Sequence, residues 1–160
     1  MFKLIFKIFL FSLLLQASII AKEININTLA KSLSLSHKHL FVWLHQNGCP
    51  YCANMEKIAL NDADVKALIK KDFLEVHINI DENDTIVYDD FKGNAHNFAK
   101  SIGYNFYPSS LFIDKNANLV YAVPGYKDES IFFTILNYVS SGSYKKVEFE
   151  IYKDDFEFRD

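Results

Sequence analysis

The chain has few cysteines, no excess of positive charge and no low-complexity linker. Its two cysteines cannot complete a tetrahedral zinc site on their own, and no second cysteine pair is present to supply the missing ligands. Because the chain has 17 basic and 20 acidic residues, no basic patch indicates a nucleic-acid partner. Without a linker or an internal repeat, one globular domain is the expected organisation, and a hydrophobic content of 50% is sufficient for its core.

The amino-terminal segment differs in composition from the rest of the chain. Lys3 and Lys7 make it positive, and residues 8–15 are apolar with a single exception. Small residues follow and end at Ala21, so residues 1–21 have the pattern of a secretory signal peptide. The apolar run is shorter than the ~20 residues that span a bilayer, which argues against the alternative of an uncleaved membrane anchor. We therefore expect export to a compartment where disulfides persist.

Hydrophobic spacing predicts one α/β domain over residues 22–144, with a parallel part and an antiparallel hairpin. The predicted elements are a helix capped by Asn27 or Thr28, a strand at 40–44, a helix from Pro50 to Leu60, a helix capped by Asp62, a strand at 73–80, a helix at 96–102, strands at 109–114 and 119–123, and a helix at 128–139. The polar segment 81–94 is expected to be an excursion loop. Residues 145–160 form a carboxy-terminal extension, in which alternation at 147–152 predicts an added edge strand before an acidic tail.

The two cysteines lie two residues apart in the sequence Cys49-Pro50-Tyr51-Cys52, directly after the apolar strand. Pro50 suits the first position of a helix, where its missing N–H has no partner to lose. Cys49 therefore lies at a helix start, where backbone N–H groups and the helix dipole favour the thiolate that attacks disulfides. A purely structural disulfide would close too short a loop to constrain the unfolded chain, so we favour a reactive pair.

Three features together resemble the thioredoxin superfamily over roughly residues 40–140. They are the cysteine motif after a buried strand, a strand that ends in Asn79-Ile80-Asp81, and Tyr107-Pro108 directly before another strand, with Gly125 after the hairpin. The resemblance implies a thioredoxin-like fold with a mixed central sheet flanked by helices. Within the superfamily, the chain is similar to bacterial periplasmic thioredoxin-like proteins, in particular those linked to sulfur oxidation.

The resemblance also implies a role for each residue of these motifs. Cys49 would exchange disulfides with a partner, and Cys52 would resolve the resulting mixed disulfide. Pro108 would be the cis-proline that faces the cysteine pair. The residues that would contact the substrate are Pro50, Tyr51, Tyr107 and Pro108. No cofactor and no metal are expected.

One position departs from the family pattern. Thioredoxins carry a buried aspartate six residues before the first cysteine, where it assists proton transfer to the resolving thiol, and here Trp43 occupies that position. Glu56 and His77 are alternatives for this role. Each is better explained without it, Glu56 as a solvated helix residue and His77 as a strand-surface or packing residue.

These observations predict a periplasmic thiol–disulfide oxidoreductase that reduces disulfides of exported proteins and is recharged by a membrane electron donor. A disulfide oxidase or isomerase could use the same dithiol in the opposite direction, but the extended helical insertion of dedicated oxidases is missing. The third hypothesis is a non-catalytic thiol module, because a C-x-x-C pair also binds Zn²⁺ or Cu⁺.

Three weaker patterns in the sequence suggest a metal or modification site. His37 and His39 have the spacing of one strand face, although no third metal ligand is near them. The acidic residues of segment 81–90 do not match EF-hand spacing, which favours a solvated loop over a calcium site. Asn83-Asp84-Thr85 is an N-glycosylation acceptor pattern, and Asp81 extends it to the form that some bacterial systems use.

Overall fold

The computed structural model describes residues 21–158. The predicted signal peptide, apart from Ala21, lies outside the described residues, and so does the membrane-anchor alternative. Between residues 21 and 158, no helix combines the length and the apolar character needed to cross a bilayer.

The described part of the chain contains seven strands and six α-helices. In order they are β1 (Glu23–Asn25), α1 (Ile26–Ser32), β2 (His39–His45), α2 (Pro50–Asn54) continued by a π-helical turn (Met55–Leu60), α3 (Ala63–Asp72), β3 (Phe73–Asn79), β4 (Thr85–Tyr88), β5 (Phe91–Asn94), α4 (Ala95–Ser101), β6 (Ser109–Ile113), β7 (Leu119–Pro124), α5 (Glu129–Ser140), a 3₁₀ turn (Ser143–Lys145) and α6 (Phe149–Glu157).

The central sheet has four strands in the order β3-β2-β6-β7. Strand β2 runs parallel to β3 and antiparallel to β6, and β6 and β7 form the predicted hairpin. The predicted mixed sheet flanked by helices is therefore confirmed. The predicted elements between residues 40 and 139 match the observed ones to within one or two residues, except in the segment 81–94.

Strand β2 is buried on both faces, as its continuous apolar run predicts. Phe41 and Trp43 face a core that α3, α5 and the π-helical turn complete. Leu40, Val42 and Leu44 face a second core that α1 and α4 complete. The strand that leads into the cysteine motif is thus held between two packed layers.

Side-chain caps fix where the helices begin. Asp62 accepts hydrogen bonds from the backbone N–H groups of Asp64 and Val65 at 3.0 Å, so its predicted role as the cap of α3 is confirmed. The prediction for the first helix is wrong by two to three residues. The cap is Asn25, whose side chain accepts the N–H of Thr28 at 2.9 Å, and the helix begins directly after β1.

The segment 81–94 is not the single loop that its polarity predicts. It contains β4 and β5, which form a hairpin, and β4 also pairs with β1 to give a separate three-stranded sheet. Ile86 is fully buried and lies in register with Ile24. Asp89 takes a positive φ of 51° in the turn, where its N–H and C=O are bound by the Asn27 side chain. Strands β4 and β5 have only four residues each, so the flanking acidic residues dominate the composition of segment 81–94.

The carboxy-terminal extension is helical, so the predicted edge strand at 147–152 is wrong. Phe149, Tyr152 and Phe156 recur at helical spacing and place their rings on one side of α6. The Phe149 and Tyr152 rings lie 5.4 and 5.1 Å from the ring of Tyr138 in α5. The hydroxyl of Tyr138 donates a 2.7 Å hydrogen bond to the carbonyl of Val147. Burial of these aromatic rings against α5 outweighs the alternation that suggests a strand.

Candidate active site

The turn between β2 and α2 places the cysteine motif at the end of the central strand. Gly48 has a φ of +66°, a left-handed conformation that glycine adopts without a steric cost. Cys49 follows in an extended conformation as the N-cap of α2, and Pro50 takes the first helical position as predicted. The chain therefore reverses from a buried strand into a helix with Cys49 at the junction.

Cys49 and Cys52 form a disulfide, with their Cα atoms 5.3 Å apart. The two sulfurs have different surroundings, because Cys49 is half-buried whereas Cys52 is only 4% exposed. The backbone N–H of Cys52 points at the Cys49 sulfur at 3.1 Å. In the reduced protein the same N–H would stabilise a Cys49 thiolate. The geometry therefore suits attack at Cys49 and resolution by Cys52.

The peptide bond between Tyr107 and Pro108 is cis, so this part of the prediction is confirmed. It brings the carbonyl oxygen of Tyr107 to 3.7 Å from the Cys49 sulfur. On the other side, the Pro108 carbonyl accepts a 2.7 Å hydrogen bond from the N–H of Gly125, which follows the β6–β7 hairpin. The hairpin thus fixes the loop that faces the disulfide.

Two exposed aromatic residues belong to the segments that meet at the disulfide. Tyr51, between the two cysteines, is 64% exposed, and Phe106, directly before Tyr107 and Pro108, is 74% exposed. Substrate contact by Pro50, Tyr51, Tyr107 and Pro108 stays a prediction. Sequence analysis missed Phe106, although an aromatic residue directly before Tyr107-Pro108 is the signal that could have found it.

Trp43, at the position of the family's aspartate, is 2% exposed and lies among other aromatic rings. Its indole stacks on His45 at 4.5 Å, with 19° between the ring planes, and meets the edge of His77 at 5.0 Å. Trp43 and His77 are register partners in the parallel pair β2–β3. Within residues 21–158, the buried indole Nε1 has no hydrogen-bond acceptor. Trp43 therefore provides a flat apolar surface for two imidazoles.

A cleft of about 490 Å³ opens beside the disulfide on the side of this aromatic group. Trp43, His45, Cys49, Cys52 and Glu56 all contribute to its lining. Sequence analysis missed His45. The signal for it was its position on β2, two residues after Trp43 and therefore on the same face of the strand.

Burial is the largest effect on the His45 imidazole and lowers its pKa below the usual 6.5, and the neighbouring His77 lowers it further. The carboxylates of Glu56, Glu82 and Asp81 oppose this without reversing it. His45 is thus a neutral base at neutral pH. Across the site, burial and then Asp81 raise the pKa of the Tyr107 hydroxyl.

The alternatives for proton transfer are placed as expected. Glu56 is exposed on the π-helical turn, and His77 lies on the outer part of β3, where its imidazole is 2.8 Å from the carboxylate of Glu75. His37 lies before β2, so it does not share a strand face with His39. Over the described range, no three His, Cys, Asp or Glu side chains are grouped as a metal site. Asn83 is exposed, and its glycosylation stays a prediction.

Comparison with known proteins identifies the fold. Residues 26–140 match the family model described as a thioredoxin-like domain. A thioredoxin-fold protein from Helicobacter pylori superposes with a TM-score of 0.65 at 20% identity, covering 78% of this chain and 87% of that one. A thioredoxin from Thermus thermophilus gives 0.54 at 20% identity, covering 74% and 86%. The DsbH oxidoreductase gives 0.57 at 9% identity, covering 76% and 85%. No curated protein matches the chain in sequence.

Proposed function

The chain belongs to the thioredoxin-like domain family, and we propose that it is a periplasmic reductase for disulfides of exported proteins. The family and the redox-type cysteine pair support a thiol–disulfide oxidoreductase. The compartment, the direction of electron flow and the clients belong to the proposal. The observation that carries it is the asymmetry of the pair, with Cys49 beside the Tyr107 carbonyl and Cys52 enclosed behind it.

The reaction starts from the reduced dithiol. The Cys49 thiolate attacks one sulfur of a client disulfide, a mixed disulfide forms, and the other client sulfur leaves as a thiolate. Cys52 then loses its proton and attacks the Cys49 sulfur, so the Cys49–Cys52 bond forms and the second client thiolate leaves. The client has gained two electrons, and the protein has the disulfide form of this structure.

Return to the dithiol requires a donor of two electrons. A membrane protein with its own reactive dithiol would attack the accessible Cys49 sulfur and reverse the same steps. This donor and the exported clients are the expected partners, and both would approach the side of the molecule where Cys49 is exposed.

The surface around Cys49 suits an extended peptide. The Tyr107 carbonyl lies next to the sulfur, where it can accept an N–H from a client backbone, and the side chain of Tyr51, two residues after Cys49, is exposed. Pro50 and Pro108 have no backbone N–H, so the client would pair with carbonyl acceptors at these positions.

The direction of the reaction is supported by the connection between β3 and β6, whose single α-helix is short. It contains the β4–β5 hairpin and the seven-residue helix α4, and dedicated oxidases are expected to carry an extended helical insertion instead.

The test is the reduction potential of the Cys49–Cys52 pair, measured by equilibration in thiol–disulfide buffers. A reductase should have a value near or below about −250 mV, close to thioredoxin. A value of about −120 to −180 mV would identify an oxidase or isomerase. The matched control Cys49→Ser should show no redox transition and no reduction of protein disulfides, and full activity in that variant would contradict the proposal. If the pair forms no disulfide at all, the hypothesis of a metal-binding thiol module replaces the proposed reductase.

A further inference from the structure

We propose that His45 exchanges the proton of Cys52 during disulfide exchange, in place of the carboxylate that Trp43 replaces. This inference rests on the proposed thiol–disulfide chemistry and adds to it a residue that the cysteine motif does not predict. It is carried by the placement of His45 and Cys52 in the lining of one cleft.

Cys52, the resolving thiol, needs a base because its side chain is buried. Cys52 is 4% exposed and packs in the core that contains Trp43 and Met55. Burial in apolar surroundings disfavours the charged form of a thiol. The N–H that could stabilise a thiolate at this turn points at Cys49 instead. Burial therefore favours the thiol over the thiolate at Cys52, and attack on the mixed disulfide requires a group that removes this proton.

His45 is held where it can accept that proton. Its ring stacks on the buried indole of Trp43, which fixes the imidazole plane toward the cleft side of β2. Trp43 acts here as a positioning residue. His45 and Cys52 both line the cleft, whose volume of about 490 Å³ has room for water, and a general base can act through one water molecule.

The charged groups around His45 come from each element that packs near it. His77 on β3 lies with its ring centroid 6.2 Å away, and Glu56 approaches from the π-helical turn. Asp81 and Glu82 approach from the turn after β3. Burial and His77 keep the imidazole neutral, and the three carboxylates stabilise the imidazolium once the proton has been transferred. This balance allows one group both to accept a proton and to return it.

The step is balanced in protons and electrons. In the mixed disulfide, His45 takes the proton of Cys52, and the Cys52 thiolate attacks the Cys49 sulfur. The Cys49–Cys52 bond forms, the Cys49–client bond breaks, and the electron pair leaves with the client sulfur. The imidazolium then gives its proton to the client thiolate or to solvent. When the donor reduces the protein, Cys52 leaves as a thiolate and takes up one proton from solvent, which His45 relays.

The experiment follows one turnover by stopped flow. The reduced full chain is mixed with one equivalent of dithiobis(nitrobenzoate) from pH 5 to pH 9. The first release of coloured thiolate reports attack by Cys49, and the second release, independent of reagent concentration, reports attack by Cys52. In the wild type, the second rate should rise with pH through a midpoint below 6.5, the usual histidine pKa, and then level off.

In His45→Gln the second rate should fall at least about tenfold at pH 7, since general-base catalysis is worth about 10²–10⁴-fold. The loss should disappear at high pH, where Cys52 ionises without help. The first rate should not change, which shows that the site is intact. The matched control His37→Gln, an exposed histidine outside the site, should behave as the wild type.

Two further variants separate a proton-transfer role from a structural one. Glu56→Gln removes a carboxylate that raises the pKa of His45, so the midpoint of the second rate should move to lower pH. His77→Gln removes a group that lowers this pKa, so the midpoint should move to higher pH. A merely structural His45 would give neither shift.

The outcomes distinguish the two proposals. If the first release occurs but the second keeps its rate and pH profile in His45→Gln, the role of His45 is wrong while the proposed function stands. If both releases slow equally at every pH, His45 has a structural role and the inference is also wrong. If Cys49 gives no first release in the wild type, the proposed function itself fails.

Discussion

Cys49 and Cys52 are chemically identical residues, but the turn from β2 into α2 gives their sulfurs different surroundings. Cys49 caps the helix and receives the Cys52 N–H at 3.1 Å, whereas Cys52 lies one turn later in the core. The cap stabilises charge on the first sulfur only. In the proposed mechanism, the order of attack is therefore set by the position of Cys49 at the N-cap of α2 and of Cys52 within the helix.

Replacing the resolving sulfur should trap the intermediate. In Cys52→Ser the backbone N–H that faces Cys49 is retained, so Cys49 should still attack a disulfide-bonded peptide and then hold it covalently. Intact mass under non-reducing conditions should show the added peptide, which a thiol reductant removes. Cys49→Ser should capture none, and capture by that variant would show that Cys52 can attack clients directly.

At this scale the cysteine pair is read directly from adjacent residues, and the cis bond before Pro108 was expected from the resemblance to the thioredoxin superfamily. The motif did not predict His45 or Phe106. Their significance depends on which face of β2 and which loop they occupy relative to Cys49, and this depends on contacts between distant parts of the chain.

Among the elements, the carboxy-terminal helix shows how a local pattern can mislead. Residues 147–152 alternate as a strand would, yet the aromatic residues at 149, 152 and 156 also fit a helix. Sequence alone does not rank the two patterns, since the choice depends on whether α5 offers an aromatic face. The β4–β5 hairpin was missed for a related reason, as its pairing partner β1 lies about sixty residues earlier.

Docking of the carboxy-terminal segment on α5 can be tested with one hydroxyl group. Tyr138→Phe keeps the ring contacts with Phe149 and Tyr152 but removes the donor to the Val147 carbonyl. We expect a loss of about 1 kcal/mol in the free energy of unfolding, because Val147 is partly exposed and its carbonyl can bind water. Chemical denaturation measures this directly. Tyr51→Phe, at an exposed position, is the matched control, and an equal loss there would contradict the assignment.

For the molecule as a whole, the layered architecture was predictable because its strands and helices have long periodic patterns. Buried strand β2, the β6–β7 hairpin and helix α5 all follow from spacing within one segment. The separate sheet β1-β4-β5 did not follow from spacing, since its strands have only three or four residues each and β1 pairs with β4 across the fold. In the carboxy-terminal extension, Phe149 and Tyr152 pack against the core to which α5 contributes.

Global stability should fall at alkaline pH because of a partly buried tyrosine. Burial, with Tyr138, Glu150 and Glu148 adding to it, raises the pKa of Tyr121 from 10.0 to about 12. The folded state thus binds this proton more tightly than the unfolded state does, and the stabilisation is complete below pH 10 and is lost as the pH rises toward 12. Urea unfolding from pH 9 to 12 measures the decline. Tyr121→Phe should flatten it, and an unchanged slope would show that other groups cause it.

The double burial of β2 also determines the order in which the molecule can come apart. Amide groups of this strand can exchange with solvent only when both hydrophobic layers separate, whereas α6 has no fully buried residue and can open without separating them. The turn that carries Cys49 and Cys52 directly follows this strand, so we expect it to be among the last parts of the molecule to open. Under thermal stress, α6 would therefore be lost before the capacity to exchange disulfides.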